Sequence, residues 1–179
     1  MKIGFIGLGN MGMPMALNLN KSKKIHLIGF DINNHLIQKF KKANGKTATN
    51  LIDIFNCDII ISCLPGPKQV KQVALGKNKL IENLTSKKIW IDCSTNSISC
   101  FNFLKKKMRN KIKYFIDAPI SGGNLKAKSG ELSIFIGGSK KLYKKTSSIF
   151  KILGKNLYFL ERHGAGYAAK IDNSPDFAF

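Results

Sequence analysis

Short isoleucine-rich runs alternate with amphipathic stretches along almost the whole chain of 179 residues. Each apolar run is too short for a helix and rich in β-branched residues, which predicts buried strands. The strands are expected at 2–6, 25–30, 58–63 and 88–92, and the helices at 11–21, 34–43, 67–75 and 97–108. Further elements are expected at 113–116, 132–136, 140–153 and 157–160. This alternation is typical of βαβ units with right-handed crossovers, so we expect an α/β fold with a doubly wound, mostly parallel sheet and helices on both faces.

The chain length fits one sizeable domain with its own hydrophobic core. We expect this domain to occupy residues 1–162 and a new helix to start near Gly164, within the segment 163–179. The sequence enters a strand pattern at once, without the regions of a signal peptide and without an apolar run of membrane-spanning length. We therefore expect a cytoplasmic protein that does not bind membranes.

The four cysteines are Cys57, Cys63, Cys93 and Cys100, and they show neither a CxxC spacing nor clustered histidine partners. This pattern is typical of reduced cytosolic thiols and differs from a disulfide framework or a zinc site. We expect no metal site.

The formal net charge of +20 is compatible with nucleic-acid binding, because lysines neutralise phosphates. Of the 30 basic residues, however, only Arg109 and Arg162 are arginine, the residue that recognises bases and phosphates in bidentate fashion. Lys, Asn and Ile are all abundant and share A/T-rich codons, so codon drift explains all three together. We favour a solvated lysine-rich surface over a specific nucleic-acid site, with a polyanion-binding module as the less favoured alternative.

A glycine-rich segment, Gly7-Leu8-Gly9-Asn10-Met11-Gly12, follows the first expected strand and opens the first expected helix. In that context the first glycine permits a tight turn, the second lets a pyrophosphate approach the backbone, and the third lets the helix pack closely on the strand. The helix N-terminus adds N–H groups and the positive end of the helix dipole. The segment predicts a dinucleotide site made by these six residues, with a plain strand-to-helix turn as the alternative.

Asp31 follows the second expected strand, 19 positions after Gly12. A carboxylate at that place accepts hydrogen bonds from the hydroxyl groups of an adenosine ribose and repels a 2′-phosphate. Since Ile32, Asn33 and Asn34 come next and no arginine is among them, NAD is favoured over NADP. Alternatively, Asp31 caps the helix that starts near Asn33.

The loops that end the third and fourth expected strands contain Leu64 and Pro65 in one and Ser94 and Thr95 in the other. In open α/β sheets, ligands bind beyond the carboxyl ends of the strands. We therefore expect Leu64, Pro65 and Thr95 to border the cofactor. Each loop taken alone also fits a helix N-cap, with Ser94 or Thr95 in that role.

The segment 117–123 has two glycines, Gly122 and Gly123, directly after Ser121 and opens a helix through Ala127. Bare N–H groups beside a hydroxyl can hold a carboxylate, and a capped loop is the alternative.

Lys170 lies in the last helical pattern, and Asn173 follows it by three residues, so both face the same side of the expected helix. A lysine shielded from water loses proton affinity, which lets it exchange a proton with a substrate hydroxyl near neutral pH. The alternative is one more surface lysine.

These segments, taken in order, resemble the β-hydroxyacid dehydrogenase family, which includes 3-hydroxyisobutyrate dehydrogenases and 2-hydroxy-3-oxopropionate (tartronate semialdehyde) reductases. The matching segments are GFIGLGNMGMPMALNL at 4–19, ISCLP at 61–65, DCSTNS at 92–97, DAPISGGNLKAKSGELSIFIGG at 117–138 and GAGYAAKIDN at 164–173.

The resemblance implies a Rossmann-type domain that binds NAD(P), followed by a helical domain that closes the cleft and forms the oligomer. It also implies that segment 121–123 and Asn173 bind the substrate and that Thr95 lies near the nicotinamide. Lys170 is implied to be the general acid/base, which gives a proton to the carbonyl oxygen while hydride arrives from the nicotinamide, or the reverse. We therefore expect an oxidoreductase that transfers hydride between NAD(P) and a short 3-hydroxyacid or its semialdehyde.

The resemblance ends at Asn173. Ser174 stands where the family pattern has a second asparagine, and Pro175 prevents a long helix from continuing smoothly. We expect a C-terminally truncated member that lacks the helical domain, as a frameshift or premature stop would leave. A cofactor-binding remnant with little or no catalysis is the main alternative, since a cleft open to water loses positioning and preorganised electrostatics.

Overall fold

The computed structural model of the chain describes residues 1–77 and 79–172. In these residues the strands are β1 (Lys2–Ile6), β2 (His26–Phe30), β3 (Lys46–Thr47), β4 (Ile59–Ser62), β5 (Ile89–Asp92), β6 (Phe115–Asp117), β7 (Ile120–Ser121), β8 (Leu132–Gly137) and β9 (Gly154–Leu160). The α-helices are α1 (Gly12–Asn20), α2 (Asn34–Lys42), α3 (Leu51–Phe55), α4 (Pro67–Leu75), α5 (Leu80–Asn83), α6 (Ile98–Met108), α7 (Gly123–Ser129), α8 (Lys140–Leu153) and α9 (Ala165–Asp172). Asn173, Ser174 and Pro175 lie outside the described residues, so the expectations for them stay predictions.

All strands join one sheet with the order β3-β2-β1-β4-β5-β6-β8-β7, and β9, outside this path, also pairs with β8. The first six strands run parallel. β8 is antiparallel to β6 and β7 and parallel to β9. The order of the first six is that of doubly wound dinucleotide folds, in which the strand order reverses between β1 and β4. The expected doubly wound, mostly parallel sheet is confirmed.

The central strands bury both of their faces, because successive side chains of a strand point to opposite sides of the sheet. Ile59 and Ile61 of β4 belong to one core cluster, and Ile60 between them belongs to the other. The first cluster packs against α1, α2, α7 and α8, and the second against α3 to α6 and α9. Helices therefore cover both faces, as expected.

Four short elements, β3, α3, α5 and β7, were not predicted, because two to five residues are too few to display a period. The expected element at 113–116 is wrong in part. A 3₁₀ helix occupies Arg109–Tyr114, and β6 starts only at Phe115. Arginine, asparagine and two lysines make up most of Arg109–Tyr114, so its apolar periodicity carried little information.

The described structure bears on membrane-spanning helices and on the state of the cysteines. Within it, no helix is both long and apolar enough to cross a membrane. The four cysteines are free thiols.

Replacing Ile91 by alanine is expected to lower the free energy of unfolding by about 2–5 kcal/mol, because this β5 residue is fully buried and its loss leaves a cavity. The matched control is Ile32→Ala, where the side chain is 93% exposed and the change should stay within about 0.5 kcal/mol. Urea unfolding of both variants measures the difference. Equal effects at the two positions would contradict the described core.

Candidate active site

The glycine-rich segment forms the turn between β1 and α1. Gly7 has a φ of 96°, a left-handed conformation that side chains disfavour, and its N–H donates to the carbonyl oxygen of Phe30 at 2.9 Å. A β-carbon on Gly12 would collide with the carbonyl oxygen of Gly7. The first and third glycines are therefore required by the turn itself, because α1 starts directly against it.

Gly9 has a different surrounding. A β-carbon there would meet no atom of the described residues within 4 Å, so the protein's own packing does not require glycine. The space in front of Gly9 belongs to the cleft above the sheet. The start of α1 also has no side-chain cap from the described part of the chain. This geometry fits an anionic group seated against the backbone at the positive end of α1.

The carboxylate of Asp31 braces this turn from β2. Its Oδ2 accepts a hydrogen bond from the N–H of Leu8 at 2.7 Å, and its Oδ1 accepts one from Asn33 at 2.8 Å. The alternative that Asp31 caps the next helix is wrong, because the side chain of Asn33 caps α2 by accepting from the N–H of His35. Leu8 itself is fully buried and lies outside the cleft, so it supports the turn from the core.

One cleft of about 880 Å³ gathers the other described site residues. Its lining includes Gly7, Gly9, Asn10, Met11, Gly12, Asp31, Leu64, Pro65, Thr95, Ser121, Gly122, Gly123 and Lys170. This volume falls in the range of small-molecule sites, about 300–1,000 Å³. Gln69 and Gln72 of α4 also line the cleft and were not predicted, because nothing in a helical period distinguishes a cleft glutamine from a solvated one.

Ser94 joins the two loops that follow β4 and β5. Its Oγ accepts a hydrogen bond from the N–H of Leu64 at 2.8 Å and donates to Oδ1 of Asp92 at 2.6 Å. Helix α6 is capped by Ser97, so the alternative that Ser94 or Thr95 caps it is wrong. Thr95 is exposed at the cleft.

Ser121, Gly122 and Gly123 lie at the end of β7 and the start of α7, and all three are exposed. This segment is tied to the glycine-rich turn through Asn124. The Nδ2 of Asn124 donates to the backbone oxygen of Asn10 at 2.5 Å and to its Oδ1 at 2.9 Å. The candidate carboxylate segment and the glycine-rich turn therefore form one connected wall of the cleft.

Lys170 reaches the cleft from α9. Its side chain is half-buried, and Nζ donates to the carbonyl oxygen of Ile120 at 2.7 Å. Burial lowers the pKa of this amine from its ordinary value of 10.5, because loss of hydration disfavours the charged form. Asn173, expected beside Lys170, lies outside the described residues.

Two buried aspartates near the site were missed. Asp92 accepts a hydrogen bond from the hydroxyl of Tyr167, and Asp117 accepts from the backbone of Gly164 and Tyr167. A signal existed, because both aspartates directly end apolar strands, where a charge is costly to bury without partners. Their partners Gly164 and Tyr167 lie 47 to 75 residues away and could not be read from the sequence.

The sheet order, the glycine turn at the reversal of that order and the brace from Asp31 define a dinucleotide-binding domain of the Rossmann type. The sequence pattern described as the NAD binding domain of 6-phosphogluconate dehydrogenase matches residues 2–161. The chain belongs to this family of NAD-binding domains.

Known proteins support the more specific resemblance found in the motifs. The chain is 34% identical over 173 residues to a mouse protein named mitochondrial 3-hydroxyisobutyrate dehydrogenase, covering 96% of this chain and 51% of that protein. It is 30% identical over 174 residues to the 2-hydroxy-3-oxopropionate reductase of Escherichia coli, covering 97% and 59%. The resemblance to β-hydroxyacid dehydrogenases is confirmed.

A solved structure shows the same fold. The 3-hydroxyisobutyrate dehydrogenase of Mycobacterium tuberculosis aligns with a TM-score of 0.87 at 24% identity, covering 96% of this chain and 58% of that chain. The chain thus spans about half to three fifths of the length of the relatives it matches.

The free energy of unfolding of the chain is expected to depend on the ionisation of Asp117. Burial raises the pKa of this carboxyl group from 3.8 to about 6. The folded state therefore holds the proton more tightly than the unfolded state, and this contribution to stability is present below about pH 4 and lost as the pH rises to about 6. Relative to Asp117→Asn, which cannot titrate, the wild-type free energy of unfolding should fall by about 3 kcal/mol across this window.

Urea unfolding of both proteins at a series of pH values measures this difference. Asp92 is present in both proteins, so its own titration contributes to both curves. Parallel curves for the two proteins would show that Asp117 has the same proton affinity in the folded and unfolded chain.

Proposed function

We propose that the chain carries the cofactor site and the proton-transfer group of an NAD-dependent oxidoreductase of the β-hydroxyacid dehydrogenase type. The observation that supports this most is the position of the Lys170 amine in the same cleft as the glycine turn and segment 121–123. A dinucleotide domain alone needs no half-buried amine there.

The dinucleotide is proposed to lie across the carboxyl ends of β1 and β4. The backbone of Gly9 to Gly12 receives the pyrophosphate, where an open space meets the positive end of α1. Leu64, Pro65 and Thr95 border the nicotinamide end of the cleft. Leu8 contributes by fixing the turn through Asp31.

We propose that NAD is bound in preference to NADP. The carboxylate of Asp31 is anchored at the cleft by Leu8 and Asn33, and its charge repels a 2′-phosphate. The exposed residue that follows, Ile32, offers no positive charge to compensate.

The substrate is proposed to be a short 3-hydroxyacid or its semialdehyde, of the 3-hydroxyisobutyrate or 2-hydroxy-3-oxopropionate class. The substrate carboxylate is proposed to bind the Ser121 hydroxyl and the backbone N–H groups of the exposed Gly122 and Gly123, in the cleft that Lys170 also lines. Asn173 is proposed to assist on the same face of the helix.

The reaction needs a hydride and a proton on a carbonyl group. Bound NADH supplies the hydride, and NAD accepts it in the reverse direction. Lys170 in its ammonium form donates a proton to the carbonyl oxygen, so the carbonyl becomes an alcohol and the lysine becomes a neutral amine. Partial burial of Lys170 favours this exchange, since burial raises the free-energy cost of the charged form.

Three further expectations stay predictions. They are the cytoplasmic location, the division at residue 162 and an oligomer formed by a helical domain.

The cofactor preference is tested by fluorescence titration with NADH and NADPH. We expect tighter binding of NADH and, in Asp31→Asn, a preference reduced by about tenfold, because a hydrogen bond to a charged group contributes about 1.5–3 kcal/mol. Asp58→Asn is the matched control, since it removes the same charge ahead of β4. Equal affinities of the wild-type chain for both cofactors would contradict the proposed role of Asp31.

The role of Lys170 is tested by turnover of 2-hydroxy-3-oxopropionate with NADH. Lys170→Ala is expected to lower kcat by about 100-fold or more, because general acid catalysis contributes about 10²–10⁴-fold, with little change in NADH affinity. Lys141→Ala removes an exposed lysine of α8 and serves as the control. NADH binding without turnover in the wild-type chain would favour the cofactor-binding remnant. Absence of NADH binding together with salt-dependent DNA binding would favour the polyanion module.

A further inference from the structure

Two fully buried aspartates lie side by side at the ends of neighbouring strands. Asp92 of β5 is in register with Asp117 of β6, and neither is exposed to solvent. Burial raises the pKa of both carboxyl groups. Burying an ionisable group costs free energy unless hydrogen bonds offset the lost hydration, so the partners of this pair indicate its role.

Asp117 holds the first turn of α9. Its Oδ1 accepts a hydrogen bond from the N–H of Gly164 at 2.7 Å, and its Oδ2 accepts one from Tyr167 at 3.2 Å. A carboxylate at this place satisfies N–H groups that the helix leaves unpaired and lies at the positive end of its dipole. A β-carbon on Gly137 would collide with this carboxylate, so this glycine leaves room for it. A β-carbon on Gly166 would collide first with the carbonyl oxygen of Phe135 and would also crowd Asp117.

Tyr167 ties the same helix to the second aspartate. It is fully buried, and its hydroxyl donates to Oδ2 of Asp92 at 2.5 Å. The Oδ1 of Asp92 accepts from Oγ of Ser62 and Oγ of Ser94, both at 2.6 Å. Because Ser94 also accepts from the N–H of Leu64, a continuous chain of hydrogen bonds runs from the loop after β4 to α9.

Lys170 follows Tyr167 by three residues, which places it about one helical turn further along α9. With the helix in this position, its Nζ donates a hydrogen bond to the carbonyl oxygen of Ile120. We propose that Asp92, Asp117 and Tyr167 are positioning residues that hold α9 against the ends of β5 and β6 and so keep the amine at the cleft. This inference rests on the role proposed for Lys170 and is tested without cofactor or substrate.

The test is competitive labelling of lysines with trace acetic anhydride across the alkaline range, read by mass spectrometry. Tyr167→Phe removes only the hydroxyl that reaches Asp92. We expect the pH midpoint of Lys170 labelling to rise by about half a unit, or about threefold less free amine at a given pH below the midpoint, because a looser α9 exposes the amine to water. The labelling of exposed Lys141 in the same sample serves as the internal standard.

Tyr143→Phe is the matched control, because it removes the same hydroxyl from a tyrosine of α8 that packs on the other core cluster. Thermal unfolding of both variants is recorded alongside the labelling. A general loss of stability leaves the Lys170 midpoint in the folded chain unchanged, whereas a shifted helix moves it.

Asp117→Asn provides a second variant should Tyr167→Phe fail to fold. Asparagine retains one of the two acceptor oxygens, so the same upward shift of the Lys170 midpoint is expected with smaller size. An unchanged midpoint in a folded Tyr167→Phe or Asp117→Asn chain overturns the inference. If the shift occurs but NADH does not bind, the inference stands and the proposed function fails.

Discussion

A buried carboxylate at the end of β6 joins the last described helix to the sheet. The hydrogen bonds from Gly164 and Tyr167 to Asp117 give α9 its start and its direction. Without them the helix has two unpaired N–H groups facing a desolvated charge, a costly arrangement in a protein interior. The location of Lys170 therefore depends on a charge buried at the carboxyl end of β6, in addition to the packing of apolar side chains.

The part of the cleft around the glycine turn is built mainly from backbone. Gly7 and Gly12 lie so close that a β-carbon on Gly12 would collide with the carbonyl oxygen of Gly7, and Asp31 fixes the turn to the end of β2 through Leu8. Of the three glycines in the turn, only Gly9 has open space before it. Asn124 then connects the turn to the segment that follows β7. A rigid wall of this kind reduces the ordering needed when a ligand binds, which favours affinity.

Much of this could be predicted from sequence, because the informative signals are local. Helix α4 has the bounds 67–75 that its helical spacing predicted, and the element expected at 140–153 is helix α8. The glycine turn lies between β1 and α1, as expected. The contact between Tyr167 and Asp92 joins residues 75 positions apart, so no local pattern contains it. The sequence also did not identify which residues cap α2 and α6, because several polar residues precede each helix. The backbone path decides that Asn33 and Ser97 are the caps.

We propose that one cleft holds both the dinucleotide and the amine that transfers the proton. A ¹H–¹⁵N NMR titration of the chain with NADH tests it most directly, because each backbone amide reports separately. The predicted result is a set of shifted amides at Gly9 to Gly12, Asp31, Thr95 and Lys170, all of which line the cleft. Shifts confined to the lysine-rich surface of α6, at Lys105 to Lys107, would contradict the claim and indicate nonspecific binding of an anion.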